Sequence, residues 1–161
     1  MIVCARYDDA VIKKAIHHFK YEHFFDIGRI LGKILAERLA TEKNKEGFLI
    51  IPVPLHNLKK AQRGFNQAEI LAKVVALSSD RPYLSNILVR QKYRRPQMEL
   101  SREKRLENLK GSFCWLGGDL KRAEVILVDD VATTGATLEE CAKVLKKSGA
   151  GEVWGLVLAH G

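Results

Sequence analysis

Cysteine is scarce in this sequence, and its three copies stand far apart. Cys4, Cys114 and Cys141 form no C-x-x-C pair, although structural zinc sites usually take their ligands from such close pairs. An odd number of scattered cysteines also argues against a disulfide framework and fits a reducing compartment. Because Cys114 and Cys141 have apolar neighbours, we expect both to be core residues.

Long hydrophobic runs and flexible linkers are missing as well. The longest apolar stretches, residues 48–55 and 153–159, fall far short of the ~20 residues that cross a bilayer. The start, MIVCARYDD, reaches acidic residues too early for a signal peptide. We therefore expect a cytoplasmic protein with no membrane insertion. Since no linker rich in proline, glycine or serine divides the chain, we also expect residues 1–161 to form one domain.

Positive charge, by contrast, is plentiful and unevenly distributed. The sequence has 27 Lys and Arg against 19 Asp and Glu, which gives a formal net charge of +8. Residues 81–122 contain eleven of the basic residues and four of the acidic ones. Such a block is often only a solvated basic face. It also suits an anionic partner, either a phosphorylated small molecule or a nucleic acid.

The spacing of apolar residues predicts the helices. Apolar residues recur at helical spacing over residues 8–40, which predicts two helices that separate near residues 21–26. Asn66 followed by Glu69 has the form of a capping box and predicts the start of a further helix. The other predicted helices run from 66 to about 77, from 101 to 111 and from 137 to 147.

Three continuous apolar runs, at residues 47–53, 124–128 and 152–159, are typical of strands buried on both faces of a sheet. Two shorter strands are predicted at 87–90 and 113–116. Strands and helices alternate along the chain, and this alternation is typical of an α/β fold in which helices cover both faces of a parallel sheet.

One stretch, VILVDDVATTGAT at residues 125–137, carries the clearest chemistry. Asp129 and Asp130 follow a buried strand, at the end where open α/β sheets bind ligands, and two adjacent carboxylates there need hydroxyl donors, a cation or water. The loop that follows contains Gly135 and leads into a helix N-terminus, which favours an anion. A strand-to-helix turn with one capping aspartate would explain only part of this pattern. The whole pattern predicts a sugar phosphate.

The same stretch resembles the 5-phosphoribosyl-1-pyrophosphate (PRPP) binding motif of type I phosphoribosyltransferases. That resemblance implies their fold, a parallel sheet with helices on both faces and a mobile hood loop. It also implies that Asp129 and Asp130 contact the ribose hydroxyls, with a Mg²⁺ ion carried by PRPP near them and no direct protein ligand to the metal. The residues implied to bind the 5′-phosphate are Ala132, Thr133, Thr134, Gly135, Ala136 and Thr137.

Further segments resemble the ComF/GntX-type subgroup of this superfamily, whose members are late competence proteins. These segments are FKY at residues 19–21, PVPLH at 52–56, RGFNQAEILA at 63–72 and RRPQMELSREKRLENLKGSF at 94–113. The resemblance implies a link to competence and to the uptake of single-stranded DNA, with single-stranded DNA and a competence ATPase as partners. A homodimer is left open. Members commonly carry an N-terminal zinc module, which we expect to be absent because only Cys4 precedes the helices.

The resemblance also suggests which residues surround the reacting centre. In type I enzymes a short loop after a strand holds pyrophosphate, and here that loop is Pro54, Leu55 and His56, at the start of a predicted basic loop over residues 56–64. A lone histidine after a proline-rich turn is by itself more often a surface residue. Lys59, Lys60 and Arg63 are the other cations available to stabilise a leaving pyrophosphate. The candidate catalytic residues are Arg63, from the RGFNQ match, and Arg94 and Arg95, from the hood segment.

No general base is evident in the sequence. Thr133 stands where purine-salvage enzymes of this fold have an aspartate, which argues against the hypoxanthine-guanine type. Cys4 is not at the N-terminal position that glutamine hydrolysis requires. Three functions remain open: a phosphoribosyltransferase that acts on an unidentified base or amine, a non-catalytic binding or assembly protein of DNA uptake that keeps the PRPP pocket, and a PRPP-sensing regulator.

Overall fold

The computed structural model describes residues 1–21, 25–42, 47–91 and 109–161. Within these ranges strands and helices alternate along most of the chain. In chain order the elements are β1 (Ile2–Arg6), α1 (Ala10–Tyr21), α2 (Phe25–Ala40), β2 (Leu49–Pro52), α3 (Asn57–Arg63), α4 (Gln67–Ser79), β3 (Leu88–Arg90), β4 (Phe113–Trp115), β5 (Val125–Ala132), α5 (Ala136–Lys147) and β6 (Val153–His160).

The larger sheet has four parallel strands in the order β1-β6-β5-β2, so the longest strands, β5 and β6, lie at its centre. Val125 lies opposite Val153 of β6 and opposite Leu49 of β2, and the ladder between β5 and β6 continues to Ala132 and His160. The predicted α/β fold with a parallel sheet is confirmed. The sequence pattern did not predict β1, which pairs with β6 at one edge of this sheet.

Helices cover both faces of this sheet, as predicted. Ile126 and Val128 of β5 pack into one buried cluster with Leu35 of α2 and Leu71 of α4. Leu127 points to the other face and packs with residues of α5 and of the β3–β4 pair. This alternation follows from the two-residue period of a strand, which places neighbouring side chains on opposite faces.

The two short strands predicted at 87–90 and 113–116 form a separate antiparallel pair, with Leu88 opposite Trp115. Leu88 and Phe113 are buried against the same cluster as Cys141 of α5. Cys141 is thus a core residue as predicted. Cys114 is only partly buried, contrary to the prediction, because it alternates with Phe113 along β4.

The predicted basic loop over residues 56–64 is wrong, since most of it forms α3. His56 caps the start of this helix, where its Nδ1 accepts the backbone N–H of Leu58 at 3.2 Å. Gly64 ends the helix in the left-handed conformation, with φ of 78°. The next helix begins as predicted, because Asn66 accepts the N–H of Ala68.

Two predicted features fall on parts of the chain that the structure does not describe. The hood segment with Arg94 and Arg95 lies outside the described residues, and so does most of the predicted helix at 101–111. In the described ranges, no helix has both the length and the hydropathy to cross a bilayer.

Candidate functional site

The sequence pattern had placed the two aspartates beyond the end of the strand. In the structure both lie within β5. The strand extends through them because β6 runs alongside it, with Val157 opposite Asp129. Neighbouring side chains of a strand point to opposite faces, so the two carboxylates diverge. Asp130 contacts Lys20 of α1 on one face, whereas Asp129 acts electrostatically on Cys141 of α5 on the other.

Asp130 forms a largely buried ion pair with Lys20. The distance from Lys20 Nζ to Asp130 Oδ2 is 2.7 Å, and the two side chains are 19% and 10% exposed, respectively. A charge at this depth needs a counterion, because removing one partner of a buried pair leaves the other charge uncompensated. A carboxylate can accept about four hydrogen bonds, so the contact with Lys20 leaves acceptor capacity for a ligand hydroxyl.

Asp129 has a strongly shifted titration. Burial of its carboxyl group and, secondly, repulsion by the charge of Asp130 raise the pKa of Asp129 to about 8. The backbone N–H of Asp130, which donates to Asp129 Oδ1 at 2.8 Å, lowers this pKa, and so do the charges of Lys20 and Arg90. At neutral pH this pKa favours the protonated form of Asp129, in which the carboxyl group can donate a hydrogen bond as well as accept one.

The loop between β5 and α5 has an open side. Gly135 adopts the left-handed conformation, with φ of 75°, at the N-cap of α5. A Cβ atom placed on Gly135 would meet no described atom within 4 Å. The first N–H groups of a helix have no partner inside the helix, and together with the helix dipole they favour an anion. The loop can thus admit a phosphate group close to the backbone.

The neighbouring loop residues differ in what they could offer. Ala132 and Ala136 are buried at 5% and 3% exposure, so only their backbone groups could reach a ligand. Thr133 is exposed, and Thr134 and Thr137 are partly buried. This arrangement allows the contacts that the sequence motif predicted, through backbone groups and threonine hydroxyls.

The loop that follows β2 lies beside a small cavity of about 100 Å³. Pro54 and Leu55 line this cavity, together with Lys60 and Arg90. His56 is buried at 9% exposure and caps α3, so the interpretation of a surface histidine is wrong. In the predicted pyrophosphate loop, Pro54 and Leu55 therefore line the cavity, whereas His56 caps the N-terminus of α3.

Four cations lie near this loop and near Asp129 and Asp130, which we refer to as the acidic pair. Burial lowers the pKa of Lys59, and the positive charges of Arg63, Arg90 and Lys20 lower it further. Lys20 and Arg90 are also the two cations that act on Asp129. We refer to Lys20, Lys59, Arg63 and Arg90 as the cation cluster. Cations that repel one another beside a cavity favour binding of a polyanion.

The contacts of Arg63 fix its position at the end of α3. Its Nη1 donates to Gln67 Oε1 at 2.9 Å, and its guanidinium carbon lies 5.3 Å from the ring centre of Tyr21. Lys60, by contrast, pairs with Glu69 at 3.4 Å and so is partly neutralised. Sequence reasoning named Lys59 and Arg63 but missed Lys20 and Arg90. Of those two, only Lys20 had a sequence signal, its place in the FKY segment.

Among the described residues, no group of three or more His, Cys, Asp or Glu side chains is arranged to hold a metal ion. The acidic pair is also a poor direct ligand for a divalent cation, because Asp130 is engaged by Lys20 and Asp129 is mostly protonated at neutral pH.

Known proteins resemble this chain in sequence and in fold. Residues 26–160 match the phosphoribosyl transferase domain family. Competence protein F of Haemophilus influenzae is 39% identical over 152 residues, which cover 89% of this chain and 66% of that protein. The DNA utilization protein YhgH of Salmonella typhi is 30% identical, over 86% of this chain and 63% of its own length.

The chain thus spans just under two thirds of the length of these two relatives. The purine phosphoribosyltransferase from Pyrococcus horikoshii has a similar fold, with a TM-score of 0.52 and 25% identity, over 83% of this chain and 73% of that one. The family match over residues 26–160 includes β2, β5 and β6 of the parallel sheet. The chain belongs to the phosphoribosyl transferase domain family, and within that family it is similar to a competence protein and a DNA utilization protein.

Proposed function

We propose that this chain binds PRPP and that it transfers, or has lost the transfer of, the phosphoribosyl group. A single observation carries the proposal: the acidic pair and the open loop at Gly135 lie at the same end of the sheet as the cation cluster. A ligand that suits all three needs hydroxyl groups, a terminal phosphate and a second group of high negative charge. PRPP has these three parts.

Each part of the ligand has a matching group. Asp130, as a carboxylate, would accept a ribose hydroxyl, and protonated Asp129 could donate to one or accept from one. The 5′-phosphate would bind at the N-terminus of α5, beside Gly135. The pyrophosphate would lie against the cation cluster, next to Pro54 and Leu55.

The chemistry would be a substitution at the sugar carbon that bears pyrophosphate. The bond from that carbon to the pyrophosphate oxygen breaks, and the oxygen leaves with the electron pair while a nitrogen base or amine forms the new bond. Fixed cations near the leaving oxygens stabilise the charge that develops in the transition state. Arg63 is the candidate for this role within the described residues, and Arg94 and Arg95 remain sequence-based candidates. Any Mg²⁺ would be held mainly by the oxygens of PRPP, since the acidic pair fits it poorly.

Calorimetry of PRPP with MgCl₂ tests the proposal. We expect the double variant Asp129→Asn with Asp130→Asn to lose detectable binding, because both hydroxyl acceptors change. The control is Asp8→Asn with Asp26→Asn, which makes the same two substitutions at exposed side chains. Equal affinity in the wild type and in the Asp129/Asp130 variant would refute the assignment of the ribose site.

The alternative function is a binding or assembly protein of DNA uptake that retains the pocket without catalysis. Its support is the formal net charge of +8 and the names of the relatives, a competence protein and a DNA utilization protein. This alternative predicts affinity for single-stranded DNA that falls steeply with salt and is weakened by Arg94→Ala with Arg95→Ala. A labelled oligonucleotide that is not retarded at low salt would remove it. A competence ATPase as partner and a cytoplasmic location stay predictions.

A further inference from the structure

The last turn of α1 contacts both sides of the candidate site. Phe19 is fully buried in the core and anchors this turn. Lys20 pairs with Asp130 on the acidic side. Tyr21 contacts Arg63 of the cation cluster, and thus one tripeptide connects the two halves of the site.

Lys20 is placed to set the orientation of Asp130. The bond from its Nζ engages Oδ2 at 2.7 Å, so the carboxylate is turned with Oδ2 toward α1. Most of both side chains is shielded from water, and at such depth an ion pair has a defined geometry. The same charge acts on Asp129, the other acid of the pair. Lys20 thus forms a salt bridge to Asp130 and also lowers the pKa of Asp129 through its charge.

Tyr21 is placed to set the orientation of Arg63. Its ring lies 5.3 Å from the guanidinium carbon, and its hydroxyl oxygen lies 3.5 Å from Arg63 Nη2. The ring is itself held against His17, one turn earlier in α1, with 4.9 Å between ring centres. More than half of Tyr21 is exposed, so this contact contributes little to the core. Its effect is to hold the guanidinium on the α1 side of α3.

We propose that Lys20 and Tyr21 are positioning residues of the phosphoribosyl site, Lys20 for the ribose through Asp130 and Tyr21 for the pyrophosphate through Arg63. This inference depends on the proposed function. It predicts that the two residues affect different parts of the ligand. Ribose 5-phosphate has the sugar and the 5′-phosphate only, whereas PRPP adds the pyrophosphate, so the two ligands separate the roles.

Calorimetry with both ligands in MgCl₂ tests the division of roles. We expect Lys20→Met to weaken ribose 5-phosphate and PRPP alike, by about 10- to 100-fold, the range for a lost hydrogen bond to a charged group. Lys20→Gln, which keeps a donor without the charge, should fall between wild type and Lys20→Met. We expect Tyr21→Leu to weaken PRPP by about 3- to 10-fold and to leave ribose 5-phosphate within about twofold, whereas Tyr21→Phe keeps the ring over Arg63 and should bind like the wild type.

The matched control is Lys14→Met, an exposed lysine of the same helix. Binding by Lys20→Met that equals binding by Lys14→Met would overturn the role of Lys20. An equal loss of both ligands in Tyr21→Leu would overturn the role of Tyr21. If the wild type binds neither ligand, the proposed function itself is refuted. A loss of binding that occurs only in the variants leaves the proposed function intact.

The titration of Asp129 in the absence of ligand distinguishes a positioning role of Lys20 from a general loss of structure. Lys20 and Arg90 are the two cations that lower the pKa of Asp129. Removal of Lys20 should therefore raise the pKa of Asp129 above about 8, as followed by carboxyl NMR signals, while Lys14→Met leaves it in place. Should Lys20→Met fail to fold, Lys20→Gln carries the same test. An unchanged Asp129 titration in a folded Lys20 variant would contradict the proposed placement.

Discussion

The ends of β5 and β2 lie side by side in the sheet, but their charges are arranged in opposite ways. At β5 the buried carboxylate of Asp130 already has Lys20 as its counterion. The pKa of its neighbour Asp129 is raised to about 8, which favours the neutral, protonated form at neutral pH. Beyond β2, the charged groups shown to act on Lys59 among the described residues are the cations Arg63, Arg90 and Lys20, which repel it. The acidic side is thus nearly satisfied before any ligand binds, whereas the basic side gains most from an added anion.

This difference suggests that the two sides of the site would bind different parts of a ligand. A satisfied acidic side can recognise uncharged hydroxyl groups without attracting stray cations. A basic side under mutual repulsion gives up some folding stability and gains affinity for a polyanion. The three predictions that follow test the comparison by removing one ionisable group from each side and by adding a Cβ atom to the loop between β5 and α5.

The largest effect is expected from Asp129→Asn on stability at alkaline pH. The folded-state pKa of about 8 exceeds the ordinary value of 3.8, so the folded state holds the proton more tightly than the unfolded state. Stability of the wild type should therefore fall as pH rises from about 4 to about 8. We expect Asp129→Asn to remove most of this slope and to be more stable than the wild type by about 2–4 kcal/mol at pH 9.

Urea denaturation between pH 5 and pH 9 measures this slope. Asp8→Asn is the control, because the Asp8 side chain is 68% exposed and its loss should leave the pH profile of stability nearly unchanged. A wild type whose stability rises between pH 5 and pH 8 in step with the variant would show that Asp129 is ionised in the folded protein.

The contrast between the two sides also explains which features could be predicted from the sequence. The two acids and the open loop come from one stretch of chain, in which a buried strand, Asp129, Asp130 and Gly135 follow in order. The cation cluster is built from α1, α3 and β3, and no local pattern joins Lys20 to Arg90. Only the tertiary fold brings them together.

Two elements were missed for local reasons. The strand β1 is only five residues long, and it pairs with a neighbour on one side only. The helix α3, with the sequence NLKKAQR, has no buried residue and hence no apolar periodicity to reveal it. It forms because its residues have good helix propensity and because His56 and Gly64 cap its ends. The position of the acidic pair within β5 was missed because the length of β6 decides where the ladder ends.

A smaller effect on stability, coupled to a specific loss of binding, is expected from Gly135→Ala. A Cβ atom at φ of 75° costs about 1–2 kcal/mol, and it would also occupy the open side of the loop. Gly47 is a matched control, since its φ is 77° and a Cβ atom there would also meet no described atom within 4 Å. We expect both variants to lose similar stability in thermal melts, and only Gly135→Ala to lose affinity for ribose 5-phosphate. Equal affinity of the Gly135 and Gly47 variants for ribose 5-phosphate would show that its phosphate group does not bind at the loop between β5 and α5.

The smallest effect on stability, with a sign opposite to that of most core changes, is expected from Lys59→Met. Lys59 is repelled by Arg63, Arg90 and Lys20, so its removal should stabilise the free protein, by about 0.5 kcal/mol because the side chain stays partly in water. The same change should weaken PRPP and pyrophosphate severalfold, since one cation fewer faces the anion. Lys33→Met, at an exposed position of α2, should change neither quantity. A loss of stability in Lys59→Met would mean that Lys59 gains more from its contacts than it loses through repulsion, and the contrast between the two strand ends would then rest on the acidic pair alone.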